Sequence, residues 1–203
     1  MKLIDGLKLK GRPVEIPDCC RDDIPQFFLE MGFKVGAEIG IDKGAFTQKL
    51  CKVGLKMYAI DPWVSYPNAG RSGLDQTRHD FLYEHTQRVL SPYKDCEIIR
   101  KTSMDAVKNF KPESLDFVYI DGNHCFPYIT GDIYEWYWKV KKGGILSGHD
   151  YYFTYAEAYN CMNHVGPVVD AFVKALGIEN FYVFASEITT KSNKCFNWMI
   201  VKK

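Results

Sequence analysis

The chain has 203 residues, of which 46% are hydrophobic and 25% are charged. This length suits one domain with a full core and is too short for two large ones. Because 26 lysines and arginines stand against 25 aspartates and glutamates, the net charge of +1 provides no electrostatic footprint for nucleic acid or an anionic membrane. We therefore expect a small-molecule substrate as partner, and the sequence leaves open whether the protein is a monomer or a homo-oligomer.

Two further features bear on where the protein works. No apolar run approaches the ~20 residues that a membrane span needs, and residues 1–6 lack the apolar stretch of a signal peptide. The seven cysteines form an odd, scattered set without a C-x-x-C pair, which favours reduced thiols. These features predict a cytoplasmic protein that does not use a membrane.

From residue 35 onward, short apolar runs alternate with amphipathic stretches, which is typical of parallel strands joined by helices. The predicted elements, in chain order, are a strand at 35–41, a helix at 45–52, a strand at 56–60, a helix at 76–90, strands at 96–100 and 115–120, a helix at 129–140 that Gly143 and Gly144 end, a strand at 145–148, a helix at 165–176, and strands at 181–185 and 196–201. The last two strands are predicted to form an antiparallel hairpin.

Together these elements predict a single α/β domain with a doubly wound, mostly parallel seven-stranded sheet. We assign residues 35–203 to this domain. Residues 1–34 are expected to form an N-terminal leader with a helix at 22–31, which packs on the domain or covers its site.

A glycine turn follows the first predicted strand, with Glu38 at the strand end and glycines at 36, 40 and 44. This spacing matches neither the G-x-G-x-x-G of dinucleotide folds nor a P-loop. A carboxylate at this point would repel a pyrophosphate but attract an ammonium or sulfonium group, and S-adenosylmethionine carries both. The second strand ends in Asp61, an acid suited to ribose hydroxyls. Taken alone, the turn also fits a tight connection that binds no ligand.

The fourth and fifth predicted strands also end in polar residues, Asp121 on one and His149 with Asp150 on the other. If these strands are neighbours, their ends lie ~5 Å apart. Two carboxylates and an imidazole would then suit a divalent metal that also accepts substrate oxygens. The alternative is that Asp121 caps a turn while the other two residues hydrogen-bond the loop.

In combination, the glycine turn, Asp61 and Asp121 resemble the successive motifs of class I S-adenosylmethionine-dependent methyltransferases, whose fold is Rossmann-like. The resemblance implies that S-adenosylmethionine is the cofactor. It also implies that Gly44 permits close helix packing and that Ser103 approaches the adenine. The implied cofactor-site residues are Glu38, Gly40, Gly44, Asp61, Ser103 and Asp121.

The segment 121–152 is further similar to the metal-dependent small-molecule O-methyltransferases of the macrolide-sugar and cephalosporin-biosynthesis type. That resemblance implies a metal site of Asp121, His149 and Asp150, with magnesium, manganese or zinc as the ion. His149 departs from the carboxylate that is common at its position. His124, three residues beyond Asp121, is implied to be the general base, although it could equally be a loop residue bonded to backbone. The implied reaction is O-methylation of a sugar, polyol or phenol.

Two other functions are compatible with such a sheet. An NAD-dependent oxidoreductase is disfavoured by the missing G-x-G-x-x-G motif, and a non-catalytic regulatory protein could keep the cofactor pocket without turnover. Asp132 and Glu135 are expected on the solvated face of their helix. The aromatic loop 151–159 and the stretch 63–73 are expected to wall or cover the acceptor.

Overall fold

The computed structural model describes residues 1–64, 75–152, 154–156, 161–185 and 196–203. The helices among them are α1 (Leu3–Gly6), α2 (Ile24–Glu30), α3 (Ala45–Lys52), α4 (Gln76–Leu90), α5 (Ser103–Ala106), α6 (Phe126–Tyr137) and α7 (Val165–Ala175), with 3₁₀ turns at Arg21–Asp23 and Val107–Asn109. The strands are β1 (Val14–Pro17), β2 (Val35–Ile39), β3 (Lys56–Ile60), β4 (Cys96–Ile99), β5 (Leu115–Ile120), β6 (Val140–Gly148), β7 (Thr154–Ala156), β8 (Cys161–Asn163), β9 (Phe181–Ala185) and β10 (Asn197–Val201).

Eight of these strands form one sheet in the order β1-β9-β10-β6-β5-β2-β3-β4. Neighbouring strands from β6 to β4 run parallel, whereas β10 lies antiparallel to both β6 and β9. The prediction of a doubly wound, mostly parallel sheet with a C-terminal antiparallel hairpin is therefore confirmed. The chain order reverses between β2 and β5, and the carboxyl ends of strands at such a point form the crevice where α/β proteins bind ligands.

The sheet has one strand more than the seven that the sequence predicts. The extra strand is β1, which pairs parallel with β9 so that Val14 lies opposite Tyr182 and Pro17 opposite Ala185. It was missed because it is only four residues long, ends in proline and buries alternate residues, which is a weak signal typical of an edge strand.

Both faces of the sheet are buried, which explains the continuous apolar run of β5. On one face Val118 and Ile120 pack in a cluster with α6 and α7. On the other face Phe117 and Tyr119 pack with α1, α2 and α3, and the ring of Phe28 lies 4.1 Å from that of Phe117. Residues before β2 therefore fill one side of the core, as helices do in doubly wound folds.

The prediction that the helix beginning at residue 129 extends to residue 140 was wrong at its end. Helix α6 ends at Tyr137, and Val140 begins β6 instead of closing the helix. The glycine pair lies within β6, where Gly143 has a φ of +75°. Between the pairs Leu115↔Val140 and Phe117↔Ile145 the register shifts, so the glycines form a bulge in a strand.

Helix α6 begins at Phe126, three residues before the predicted start, and the other predicted boundaries differ by two residues at most. β2 ends at Ile39, since Gly40 turns the chain with a φ of +84°. β4 ends at Ile99, and the helix predicted at 22–31 is a 3₁₀ turn followed by α2. Among the helices in the described ranges, none has the length and apolar composition needed to cross a lipid bilayer.

Candidate active site

The candidate site lies at the carboxyl ends of β2, β5 and β6, which are adjacent in the sheet. The ladder continues one residue past the strand ends: the Asp121 N–H donates to Ile39 O at 2.8 Å, and the His149 N–H donates to Ile120 O at 3.1 Å. Backbone pairing therefore fixes the Cα positions from which the side chains of Asp121 and His149 extend. Asp121, His149 and Asp150 lie together, as the sequence predicts from neighbouring strands.

Gly40 and Gly44 are explained by packing of the chain itself. A Cβ on Gly40 would lie 2.3 Å from Asp121 O, because the chain after β5 passes directly over the turn. Gly44 has a φ of +73°, and a Cβ there would lie 3.1 Å from Thr86 and 3.3 Å from Leu90 of α4. Both positions thus favour glycine on steric grounds, and their contact with a cofactor stays a prediction.

Glu38 is almost fully buried, with 1% of its side chain exposed. Its Oε2 accepts a hydrogen bond from Thr47 Oγ1 at 2.6 Å, and its Oε1 accepts one from Arg21 Nη2 at 3.3 Å. Burial raises the pKa of Glu38 to about 7, against the opposing effects of Arg21 and Thr47. The charge of this acid at neutral pH therefore depends on its partners.

Arg21 is a site residue that the sequence analysis did not identify. Its Nη1 lies 2.7 Å from Asp121 Oδ2, so the guanidinium bridges Asp121 and Glu38. The guanidinium carbon lies 4.2 Å from the ring centroid of Phe46 and 5.0 Å from that of Tyr119. Nothing in the spacing around residue 21 signals this role, and the only hint was that the leader could cover the site.

Asp121, His124 and Asp150 form a group whose possible metal-ligating atoms all lie within 4.8 Å of one another. His124 Nε2 lies 3.6 Å from Asp121 Oδ1, and His124 Nδ1 lies 3.4 Å from Asp150 Oδ2. His124 Nε2 is buried and has no hydrogen-bond partner among the described residues. His124, which the sequence predicts to be the general base, is thus one of the three residues whose spacing suits metal ligands.

His149 stands beside that group. Its Nδ1 lies 3.0 Å from Asp150 Oδ1 and 3.8 Å from Asp121 Oδ1. The structure therefore brings both histidines and both aspartates to one place, but it gives the two histidines different surroundings. His149 has a close carboxylate partner, whereas His124 is centred between two.

The charged groups of this cluster shift one another's pKa values. Burial lowers the pKa of His124, but Asp121 and Asp150 outweigh burial, so the pKa is raised above its ordinary value. Burial raises the pKa of Asp121, yet His124, Arg21 and His149 together hold it below the usual range. The pKa of Asp150 is likewise lowered, with His149 and His124 outweighing burial. Both aspartates are therefore charged at neutral pH.

Asp150 has a backbone conformation that non-glycine residues rarely adopt, with a φ of +54°. Its carbonyl accepts a hydrogen bond from the Tyr152 N–H at 2.7 Å and another from Asn163 Nδ2 at 3.3 Å. Such strain persists only where the surroundings hold it, and it is frequent at functional sites. Here it directs the chain sharply away from β6 just after His149.

Asp61 lies at the end of β3 with a fixed orientation. Its Oδ2 accepts from the Asp42 N–H at 3.1 Å, and its Oδ1 accepts from the Trp63 N–H at 2.8 Å. Trp63 is buried and donates from Nε1 to Asp42 O at 3.0 Å, so it packs against the glycine turn instead of walling an acceptor. The rest of the 63–73 stretch, from residue 65 on, lies outside the described residues. A ribose contact by Asp61 stays a prediction.

Ser103 begins α5 and is bonded towards α6. Its Oγ accepts from Trp136 Nε1 at 2.7 Å, and its hydroxyl bonds to the carboxyl group of Asp132. Both side-chain bonds are internal to the protein, and the predicted approach to an adenine stays a prediction.

Asp132 was expected to be solvated, and this prediction was wrong. The side chain is buried, because residues 129, 132, 133 and 136 share one face of α6 and that face packs on the sheet. Burial raises the pKa of Asp132 to about 7, and in its ionised form this carboxyl adds to the raised pKa of His124. Glu135 is partly exposed, as expected.

The aromatic loop after Asp150 is only partly described. Tyr151 donates to Asp170 Oδ1 at 2.6 Å and packs 5.6 Å from the ring of Phe181, so it faces α7 and β9. Tyr155 lies on β7, which pairs antiparallel with β8, and it is half exposed. Phe153 and Tyr159 lie outside the described residues. An acceptor wall from this loop stays a prediction.

Comparison with known proteins places this geometry in context. A family model described as a methyltransferase domain matches residues 37–151, more than half of the chain. The uncharacterized protein y4gI of Sinorhizobium fredii is 24% identical over 119 residues. That match covers 58% of this chain and 12% of y4gI, so the chain corresponds to a small part of that protein.

Solved structures share the fold at low identity. An O-methyltransferase from Bacillus cereus in complex with S-adenosylhomocysteine has a TM-score of 0.63 at 14% identity, covering 90% of this chain and 80% of its own. The 1,6-didemethyltoxoflavin-N1-methyltransferase from Burkholderia thailandensis, also with S-adenosylhomocysteine, has a TM-score of 0.61 at 10% identity, covering 91% and 79%. At these identities the likeness establishes the fold alone.

Proposed function

Because the chain belongs to the family of methyltransferase domains, we propose that it transfers the methyl group of S-adenosylmethionine to an oxygen of a small hydroxylated acceptor, with a divalent metal in the site. The observation that carries the proposal is the group of Asp121, His124 and Asp150 in the crevice where the strand order reverses. The acceptor would be a sugar, polyol or phenol. Residues 35–203 would form the catalytic core, and residues 1–34 would complete it by adding β1 to the sheet and covering one of its faces.

The methyl donor is supported by the acid at the end of β3 and by the glycine turn after β2. Asp61 is held at the end of β3 by two backbone N–H groups, in the place where a ribose-binding acid is expected. The glycine turn brings the backbone of β2 against the chain that carries Asp121. Two proteins of the same fold bind S-adenosylhomocysteine, the demethylated form of the donor.

The metal is supported by the donor set and its spacing. Two carboxylates and an imidazole within 4.8 Å of one another suit a divalent ion such as magnesium, manganese or zinc. The buried Nε2 of His124 makes no hydrogen bond of normal length within the described chain and faces Asp121 Oδ1 at 3.6 Å, so it is available as a ligand atom. When bound, such an ion would supply Lewis-acid chemistry that lowers the pKa of an acceptor hydroxyl.

The contacts favour His149 as the general base, a role that the sequence analysis assigned to His124. A hydrogen bond from His149 Nδ1 to Asp150 Oδ1, 3.0 Å away, fixes the tautomer. Nε2 is then the ring nitrogen that can accept a proton. We therefore assign His124 to the ligands, together with Asp121 and Asp150. His149 would take the proton of the acceptor hydroxyl.

Titration calorimetry with S-adenosylmethionine tests the donor. We expect saturable binding, and no detectable heat at millimolar ligand would overturn the donor assignment.

With an acceptor panel of sugars, polyols and phenols, methyl transfer is expected to fall on chelation and return on adding magnesium, manganese or zinc. Activity that is indifferent to the chelator would remove the metal from the proposal, and donor binding without transfer to any acceptor would favour a non-catalytic protein.

Two matched variants separate the roles of the histidines. His124→Ala is expected to weaken metal binding, measured by calorimetry on the metal-free protein. His149→Ala is expected to keep metal and donor affinity while lowering the maximal rate and changing its pH profile. The opposite pattern would restore His124 as the base and His149 as a ligand.

A further inference from the structure

The cofactor's amino-acid end carries two opposite charges, an ammonium and a carboxylate. From the sequence, Glu38 was expected to attract the cation at this point. In the structure, however, Glu38 is buried beneath Arg21, and 26% of the Arg21 side chain is exposed against 1% of that of Glu38. Of these two charged groups beside the glycine turn, the more exposed is therefore the cation Arg21, which favours an anion as its ligand.

Arg21 is held in place by its neighbours from several directions. Its Nη1 and Nη2 contact Asp121 and Glu38, and its guanidinium packs against the rings of Phe46 and Tyr119, whose centroids lie 4.6 Å apart. Its Nε is buried without a hydrogen-bond partner in the described parts of the chain. Each Nη carries two N–H groups, so the two carboxylate contacts leave one N–H on each Nη for a further anion.

The segment that carries Arg21 is anchored by the residues that follow it. The next residue, Asp22, pairs with Lys49 of α3 at 2.6 Å. Immediately afterwards α2 buries Ile24, Phe27 and Phe28 in the core. The arginine is therefore positioned before any ligand arrives, which lowers the entropic cost of binding.

We propose that Arg21 binds the carboxylate at the amino-acid end of S-adenosylmethionine. The inference rests on the proposed methyl donor and adds to it a recognition residue from the N-terminal segment. Glu38 then has the task of orienting Arg21 instead of touching the ligand. A planar guanidinium matches a carboxylate through two parallel hydrogen bonds, which gives selectivity for that group.

The test compares three ligands by titration calorimetry on the metal-free protein. S-adenosylmethionine carries both charged groups, decarboxylated S-adenosylmethionine lacks only the carboxylate, and 5′-methylthioadenosine lacks the whole amino-acid end. The wild type is expected to bind S-adenosylmethionine more tightly than the decarboxylated form. In Arg21→Gln, affinity for S-adenosylmethionine should fall by about 10- to 100-fold, as expected for hydrogen bonds to a charged group. Affinity for the decarboxylated form should change much less, so the preference disappears.

Controls separate recognition from folding. Binding of 5′-methylthioadenosine should be unchanged in Arg21→Gln, which reports an intact nucleoside pocket. Arg21→Lys keeps the charge without the planar fork and should retain part of the preference. Lys8→Gln removes one positive charge from the same segment, at an exposed pair with Asp5, and should leave all three affinities unchanged.

Two results would overturn the inference alone. The first is an unchanged preference for S-adenosylmethionine in Arg21→Gln. The second is tighter binding of S-adenosylmethionine by that variant, which would mean that Arg21 occupies the place of the ligand's ammonium and must leave. By contrast, a wild-type protein that binds none of the three ligands would overturn the proposed donor, and the inference with it.

Discussion

Glu38 and Asp132 show how the surroundings of one carboxyl group set its charge. Burial raises the pKa of both to about 7. Glu38 lies beneath a guanidinium, whereas Asp132 has a serine hydroxyl and only a longer-range interaction with His124. Sequence patterns identified Glu38 because it ends a strand before a glycine turn. They misplaced Asp132, since one acid on the apolar face of a helix looks like part of the polar face.

Asp132 has a stability consequence whose sign follows from its raised pKa. Between about pH 4 and pH 7 the folded protein holds a proton on Asp132 that the unfolded chain has released. This carboxyl therefore lowers the free energy of unfolding as pH rises through that range, with no further loss above it. Asp132→Asn cannot ionise, so relative to wild type it should gain up to a few kcal/mol between pH 4 and pH 8.

Urea denaturation of both proteins at several pH values measures this difference. Glu135→Gln, on the same helix but partly exposed, should show no comparable trend. A stability difference between Asp132→Asn and wild type that does not vary with pH would contradict the account of a buried, protonated carboxyl.

Gly40 permits a second prediction from sterics. In Gly40→Ala the new Cβ would lie 2.3 Å from Asp121 O, at a φ of +84°. Backbone strain and overlap together should cost about 3 kcal/mol or more. Gly54→Ala is the matched control, because its φ is +87° but nothing lies within 4 Å of its Cβ. It should lose only about 1 kcal/mol. Equal losses in the two variants, measured by denaturant unfolding, would contradict the close approach at Gly40.

At the scale of elements, the sequence predicted those helices and strands that have a clear hydrophobic pattern. Helix α4 and strands β3 and β5 have the predicted bounds, because long amphipathic or mostly apolar runs leave few alternatives. Strand β1 was missed, since an edge strand of four residues has too few positions for a pattern. The glycines of β6 were misread as a helix stop, because a bulge and a helix end both favour glycine.

Strand β1 provides the test at this scale. Ile16 of β1 is buried, and its side chain packs against α1 at the place where a Cβ on Gly6 would lie. If β1 folds cooperatively with the sheet, Ile16→Ala should cost about 2 to 4 kcal/mol in one unfolding transition. Glu15→Ala, on the exposed side of the same strand, should cost under about 0.5 kcal/mol. A separate early transition, or a loss in Ile16→Ala as small as in the control, would show that the segment is only loosely attached.

At the scale of the whole molecule, the sheet topology brings together residues that no single sequence motif connects. Reversal of the strand order places β2 and β5 side by side, so residues 83 positions apart, Glu38 and Asp121, share one arginine. The sequence predicted that strand ends would converge, because parallel strands end at one edge. It could not predict Arg21, whose position depends on how the N-terminal segment packs across α3 and β5. The near-neutral net charge hides a crevice in which acidic groups predominate.

The central claim is that this crevice holds a divalent ion beside the methyl donor. Its most direct test is electron paramagnetic resonance of Mn²⁺ added to metal-free protein saturated with S-adenosylhomocysteine. The account predicts that wild type removes about one equivalent of Mn²⁺ from the free hexaaqua signal. It predicts that Asp150→Ala leaves that signal undiminished. Full free signal with the wild-type protein, or equal binding by the variant, would contradict a metal site at Asp121, His124 and Asp150.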